Sequence, residues 1–115
     1  MYEYKFTLER VIDGDTVVGV VDVGFNVSVR HTFRLANINT PELNSSDPVL
    51  KEQANKAKAY TVAFFEKVSS EGGKVILQSI KPISIDKYGR YLGIFAYGAR
   101  VLNEELIANG LAVKY

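Results

Sequence analysis

The chain has 115 residues, of which 47% are hydrophobic and 23% charged, a composition typical of one globular domain with a single core. It has no cysteine, which excludes a disulfide framework, a thiolate zinc site and a thiol nucleophile. No run approaches the roughly 20 apolar residues of a membrane span, and the first residues lack the pattern of a leader, so we expect no membrane association. The formal net charge of +1 gives no global field for a polyanion, so any nucleic-acid binding would depend on local geometry.

The first third of the chain predicts three consecutive strands. Apolar residues alternate at period two in residues 4–12, and a β-branched run fills residues 16–23 after a DGD turn sequence, which predicts a hairpin. Residues 27–35 then alternate between apolar and polar side chains, which puts Arg34 on the face opposite to the apolar set. The expected apolar face of this third strand consists of Val27, Val29, His31, Phe33 and Leu35. On this pattern His31 is a packed strand residue rather than a base or a metal ligand.

A loop, a long helix, two more strands and a short helix complete the prediction. Asp47 is placed to cap a helix with Pro48 in its first turn, and the apolar residues that follow recur at helical spacing. A Gly-rich stretch ends this helix. Residues 74–80 and 91–97 are typical of strands, and a last helix is predicted at about residues 103–109, before a glycine.

This order of elements is that of an OB-fold. In an OB-fold, five strands form a Greek-key barrel, and here a long helix would lie between strands 3 and 4 and a short helix at the C-terminal end. We therefore predict one β-rich α+β domain over residues 1–115. A β-grasp or SH3-like barrel would share part of this pattern, and the fold alone does not define a function.

Three polar stretches carry the candidate chemistry: "VIDGDT" at 11–16, "FRLANINTPE" at 33–42 and "DKYGR" at 86–90. Taken singly, their residues have ordinary interpretations. The aspartates would be turn residues, the arginines solvated side chains, and the Asn and Glu parts of a loop. The residues concerned are Asp13, Asp15, Arg34, Asn39, Glu42 and Arg90.

With "LNEELIANGLA" at 102–112, these stretches resemble, in order and spacing, the motifs of the staphylococcal nuclease (thermonuclease) family, which are calcium-dependent OB-fold nucleases. The likeness extends from about Lys5 to Ala112. It implies a hydrolase, acting as endonuclease or exonuclease, that cleaves phosphodiester bonds of DNA or RNA with low sequence specificity and leaves 3′ phosphates. The implied substrate is single-stranded or locally opened DNA or RNA. The implied protein is a monomer that does not bind a membrane.

The resemblance also implies roles for individual residues, and their chemistry agrees with it. Arginine forks bind and neutralise phosphate, a carboxylate can orient or deprotonate a water, and oxygen ligands suit a hard cation. The implied catalytic residues are Arg34, Glu42 and Arg90. The implied ligands of one calcium ion are Asp15, Asn39 and the carbonyl of Thr40. The residues implied to bind a substrate phosphate are Lys87 and Tyr88.

Two features depart from the family pattern. Most relatives carry an aspartate where this chain has Asn39, and one fewer charge predicts weaker calcium binding. The sequence also ends at Tyr115, before a C-terminal helix that the type member adds.

Two other classes of function compete with the enzyme. The first is a non-catalytic OB module, derived from such a nuclease, that binds nucleic acid or a protein. Degenerate modules of that kind usually lose the charged set, which this chain keeps. The second, an oligosaccharide-binding domain, would be expected to have exposed aromatic residues in place of two converging arginines.

Overall fold

The structure, a computed structural model, describes residues 2–79 and 89–115. Its strands are β1 (Tyr2–Asp13), β2 (Thr16–Asp22), β3 (Ser28–Leu35), β4 (Ile38–Asn39), β5 (Val75–Ser79), β6 (Tyr91–Tyr97), β7 (Arg100–Val101) and β8 (Val113–Lys114). The helices are α1 (Pro48–Ser70) and α2 (Leu102–Ala108).

Five of the strands close into a barrel in the order β3-β2-β1-β5-β6. The barrel closes where β3 runs parallel to β6, with Phe33 opposite Tyr91 and Leu35 opposite Gly93. The long β1 belongs to both halves, because it pairs with β5 near its start and with β2 along most of its length. Two register shifts, between Leu8 and Arg10 and between Val11 and Asp13, interrupt the part of β1 that pairs with β2 alone. This closed five-stranded barrel with two helices confirms the predicted OB-fold.

The core lies inside the barrel and beneath α1. The ring of Phe6 lies at its centre, with centroids 5.0 Å from Phe95, 5.4 Å from Phe33 and 5.9 Å from Phe65 of the helix. These are edge-on or tilted contacts, which aromatic rings prefer to face-to-face stacking. The helix is therefore fixed against the strands that form the site.

Helix α1 begins where the sequence predicts. The carboxylate of Asp47 accepts a hydrogen bond from the amide of Val49 at 2.9 Å, and Pro48 occupies the first turn. The buried face of α1 consists of Ala54, Ala57, Thr61, Phe64, Phe65 and Val68. Neither of the helices in the described ranges combines the length and apolar composition needed to cross a bilayer.

The predicted apolar face of β3 is only partly correct. Phe33 and Leu35 are buried, but Val27 and Val29 are 50% and 42% exposed. Both lie at the outer end of the β2–β3 hairpin, away from the barrel closure at Phe33 and Leu35, so alternation alone did not bury them. His31 is half-buried with its ring edge-on to Tyr91 at 4.4 Å, in agreement with a packed strand residue.

Candidate active site

All of the predicted catalytic and metal-binding residues line one cavity of about 410 Å³. Its walls are Asp13, Asp15, Thr16, Arg34, Asn39, Thr40, Pro41, Glu42, Arg90 and Tyr115. The residues come from the β1–β2 hairpin near its turn, the end of β3, the segment that follows it, the residue directly before β6, and Tyr115. The predicted substrate residues Lys87 and Tyr88 lie outside the described residues.

The turn between β1 and β2 is anchored on α1. Gly14 and Asp15 form this turn, and a Cβ added at Gly14 would lie 2.7 Å from the Cβ of Ala57. Only glycine allows so close an approach of backbone to helix. The buried hydroxyl of Thr61 donates a hydrogen bond to the Gly14 carbonyl at 2.6 Å. Helix α1 thus determines where the Asp15 carboxylate lies.

The Asp15 carboxylate organises the centre of the cavity. Its Oδ1 accepts from the hydroxyl of Thr16 at 3.0 Å, and its Oδ2 accepts from the amide of Thr40 and from Nη2 of Arg34, both at 3.1 Å. The side chain is only 8% exposed, so these donors replace water around a buried charge. Asp15 is therefore a turn residue, as its sequence context suggests, and its carboxylate also contacts other residues that line the cavity.

The segment after β3 brings Asn39 back to Arg34. Ala36 and Asn37 form a turn in which Asn37 has a left-handed φ of 67°, and β4 follows at once. As a result, Nη2 of Arg34, which already donates to Oδ2 of Asp15, also donates to Oδ1 of Asn39. Only 11% of the Arg34 side chain is exposed, which excludes the interpretation that it is a solvated surface arginine.

Sequence reasoning did not identify Tyr115 as part of the site. Strand β8 pairs with β4, with Val113 opposite Asn39, and the Tyr115 amide donates to the Asn37 carbonyl at 3.1 Å. This pairing places the Tyr115 ring 5.4 Å from the Arg34 Cζ, in a cation–π contact. A strand of two residues shows no periodicity that would have predicted it.

A second missed residue is Asn103, which is buried at the start of α2. Its amide nitrogen donates to the carbonyls of Ala36 at 3.0 Å and Gly93 at 3.1 Å, and its oxygen accepts from the Phe95 amide. These bonds hold the turn after Arg34 against β6. The sequence feature that could have indicated a buried role is the position of this asparagine next to the apolar Leu102 in a short amphipathic helix.

The cavity concentrates charges of both signs. Burial raises the pKa of Asp13, and the negative charges of Asp15 and Glu42 raise it further, whereas Lys58 and Arg90 lower it. Glu42 and Arg90 line the same cavity as Asp13 and lie close enough for their charges to act on it. Three carboxylates and two guanidinium groups therefore share this space, as a site for an anionic substrate and a cation would require.

The oxygen atoms at the centre fit a hard cation. The Asp15 carboxylate and the Asn39 amide oxygen are donors that calcium prefers, and Thr40 adjoins both. Thr40 also has a buried hydroxyl oxygen without a hydrogen-bond partner in the described part of the chain. Within residues 2–79 and 89–115 no three His, Cys, Asp or Glu side chains are grouped as metal ligands. The oxygen atoms that lie together here are therefore those of one carboxylate, Asp15, and of the neutral Asn39 and Thr40.

Comparison with known proteins identifies the family. The family model described as staphylococcal nuclease homologue matches residues 32–115. The chain is 31% identical over 98% of its length to Endonuclease YhcR of Bacillus subtilis (strain 168), and 32% identical over 92% of its length to SPbeta prophage-derived endonuclease YokF of the same strain. It spans 9% of the first protein and 32% of the second. The chain belongs to the staphylococcal nuclease family.

Proposed function

We propose that the protein is a metal-dependent nuclease that hydrolyses phosphodiester bonds of single-stranded or locally opened DNA and RNA. The observation that carries this proposal is the convergence of Asp15, Arg34, Asn39, Thr40, Glu42 and Arg90 on one cavity. The names of the two relatives, both endonucleases, support the same reaction class.

The two arginines would stabilise the phosphate during the reaction. Attack on a phosphodiester adds negative charge to the equatorial oxygens of phosphorus, and preorganised cations lower the energy of that state. Arg34 lies on β3 and Arg90 lies directly before β6, and both line the cavity, so they would bind the phosphate from two elements of the fold. Each guanidinium fork can form two parallel hydrogen bonds to phosphate and keeps its charge near neutral pH.

Glu42 would orient and deprotonate the attacking water. It lines the cavity yet is exposed, so its carboxylate can reach a water that enters from solvent.

Asp15, Asn39 and the carbonyl of Thr40 would hold one calcium ion. A bound calcium ion supplies positive charge beside the phosphate oxygens. By the family resemblance, the bond to the 5′ oxygen breaks and the product carries a 3′ phosphate.

Low base specificity follows from the same residues. The groups assigned to substrate bind phosphate, and phosphate contacts position a nucleic acid without reading its sequence. The assignment of Lys87 and Tyr88 to a neighbouring phosphate rests on the resemblance alone.

The direct test is digestion of single-stranded DNA by the purified protein with calcium and with excess chelator. We expect hydrolysis in calcium, no hydrolysis in chelator, and 3′ phosphate ends on the products. Equal digestion in chelator would contradict the metal requirement. If binding persisted but no divalent ion supported cleavage, the non-catalytic OB module would be the better account.

A further inference from the structure

One nitrogen of Arg34 contacts both side chains that are proposed to hold the cation. Its Nη2 donates to Oδ2 of Asp15 at 3.1 Å and also to Oδ1 of Asn39. The ring of Tyr115 also contacts this guanidinium, with its centroid 5.4 Å from Cζ. In this arrangement the proposed catalytic arginine is bound to the proposed metal ligands.

We infer that the Arg34 guanidinium is an internal substitute for the cation: it occupies the position between Asp15 and Asn39 and must leave when the metal binds. This inference rests on the proposed function, because it takes the cation and its ligands from there. It adds that metal binding and the present position of Arg34 are mutually exclusive.

The geometry requires this exclusion. A calcium ion lies about 2.3–2.6 Å from its oxygen ligands, so an ion bound by both Asp15 Oδ2 and Asn39 Oδ1 would take nearly the place of Nη2. The guanidinium and the ion would also repel each other, most strongly beside the Asp15 carboxylate, whose side chain is only 8% exposed.

Release of Arg34 has two consequences for the site. The affinity for metal is lowered by the cost of breaking the Arg34 contacts, because a ligand that needs a less stable arrangement binds more weakly. The released guanidinium becomes free to bind phosphate in the same cavity. Arg34 would therefore be a positioning group for Asp15 and Asn39 before the metal binds and a phosphate ligand afterwards.

The test is calcium titration by calorimetry of the wild type, Arg34→Met and Arg90→Met. Arg34→Met removes the competing contacts but keeps an apolar side chain beside Tyr115, and we expect its dissociation constant to fall about tenfold or more. Arg90→Met is the matched control: it removes one positive charge from the same cavity and leaves the Arg34 contacts in place. We expect its dissociation constant to change about fivefold or less.

A second measurement needs no variant and so does not depend on how Arg34→Met folds. In the wild type, calcium should shift the NMR signals of the Arg34 guanidinium and of the Tyr115 ring, with little effect on the exposed Arg30. Unchanged Arg34 and Tyr115 signals at calcium saturation would overturn the inference. Equal gains in affinity for the two methionine variants would overturn it as well, while leaving the proposed cation intact. Absence of calcium binding in every form would overturn the inference and the proposed cation together.

Discussion

The hydrogen bond between Thr61 and Gly14 links the core of the protein to its site, and Thr61→Val tests that link. The two side chains have nearly the same shape, so the substitution removes the hydroxyl with little change in packing. Thr61 is 0% exposed and its hydroxyl lies 2.6 Å from the Gly14 carbonyl. Loss of the donor leaves that buried carbonyl without this partner, which costs about 1–3 kcal/mol.

For a chain of 115 residues, each kcal/mol corresponds to about 4 °C in melting temperature. We therefore expect Thr61→Val to melt about 4–12 °C below the wild type and to unfold at a lower urea concentration. Thr7→Val is the control: it also removes a hydroxyl, but Thr7 and its hydrogen bond from Lys74 are exposed on the surface, so the free energy of unfolding should change by about 0.5 kcal/mol or less. Nuclease activity should fall in Thr61→Val even below its melting temperature, because Gly14 sets the position of Asp15. Equal stability of the two variants would refute this reasoning.

Two further predictions concern Asn39 and Glu105. Asn39→Asp adds a full negative charge to the proposed ligands, so calorimetry should show about tenfold tighter calcium binding, and the nuclease assay should reach half-maximal activity at a lower calcium concentration. The control Asn55→Asp, on the exposed face of α1, should change neither value. An unchanged calcium affinity in Asn39→Asp would show that Asn39 is not a ligand. The pKa of Glu105 is lowered, chiefly by its hydrogen bonds from Arg100, so the stability that it provides is present above the ordinary glutamate pKa and is lost as pH falls through its lowered value. Glu105→Gln should therefore lower the free energy of unfolding by about 1 kcal/mol at pH 7 and by progressively less in acid; the effect is small because solvent surrounds the half-exposed Arg100. A loss of stability that does not depend on pH, or an equal loss in the exposed Glu104→Gln, would contradict this prediction.

Local patterns in the sequence were sufficient for the type and order of the main elements. Period-two alternation predicted β1 and β3, a β-branched run predicted β2, and Asp47 with Pro48 predicted the start of α1, because these signals act within a few residues. The predicted bounds of α2 differ by one residue at each end from the observed Leu102–Ala108. The parallel pairing that closes the barrel joins β3 to β6, two segments distant in the chain, and no local pattern specifies such a register.

The candidate site was predictable as a set of residues but not as a set of contacts. The motifs identified Asp15, Arg34 and Asn39, and the structure brings them together. The bond from Arg34 to Asp15 follows from the β2–β3 register, in which Thr16 lies opposite Arg34. The bond to Asn39 depends on the left-handed turn at Asn37 and on β4, which is held by the β4–β8 pairing, and the sequence reveals neither. Tyr115 was missed for the same reason, because its position depends on that pairing.

The central claim is that phosphodiester hydrolysis takes place in the cavity that Arg34 and Arg90 share. The most direct measurement compares the rate of single-stranded DNA hydrolysis in calcium for Arg34→Ala, Arg90→Ala and Arg30→Ala. Arg30 is the matched control, because it lies on β3 with Arg34 but is 59% exposed and pairs with Glu9 at 2.7 Å, outside the cavity. With the fold of each variant verified by circular dichroism, we expect a loss of about a hundredfold or more for Arg34→Ala and for Arg90→Ala, and a normal rate for Arg30→Ala. A near-normal rate in a folded Arg34→Ala or Arg90→Ala variant would contradict it.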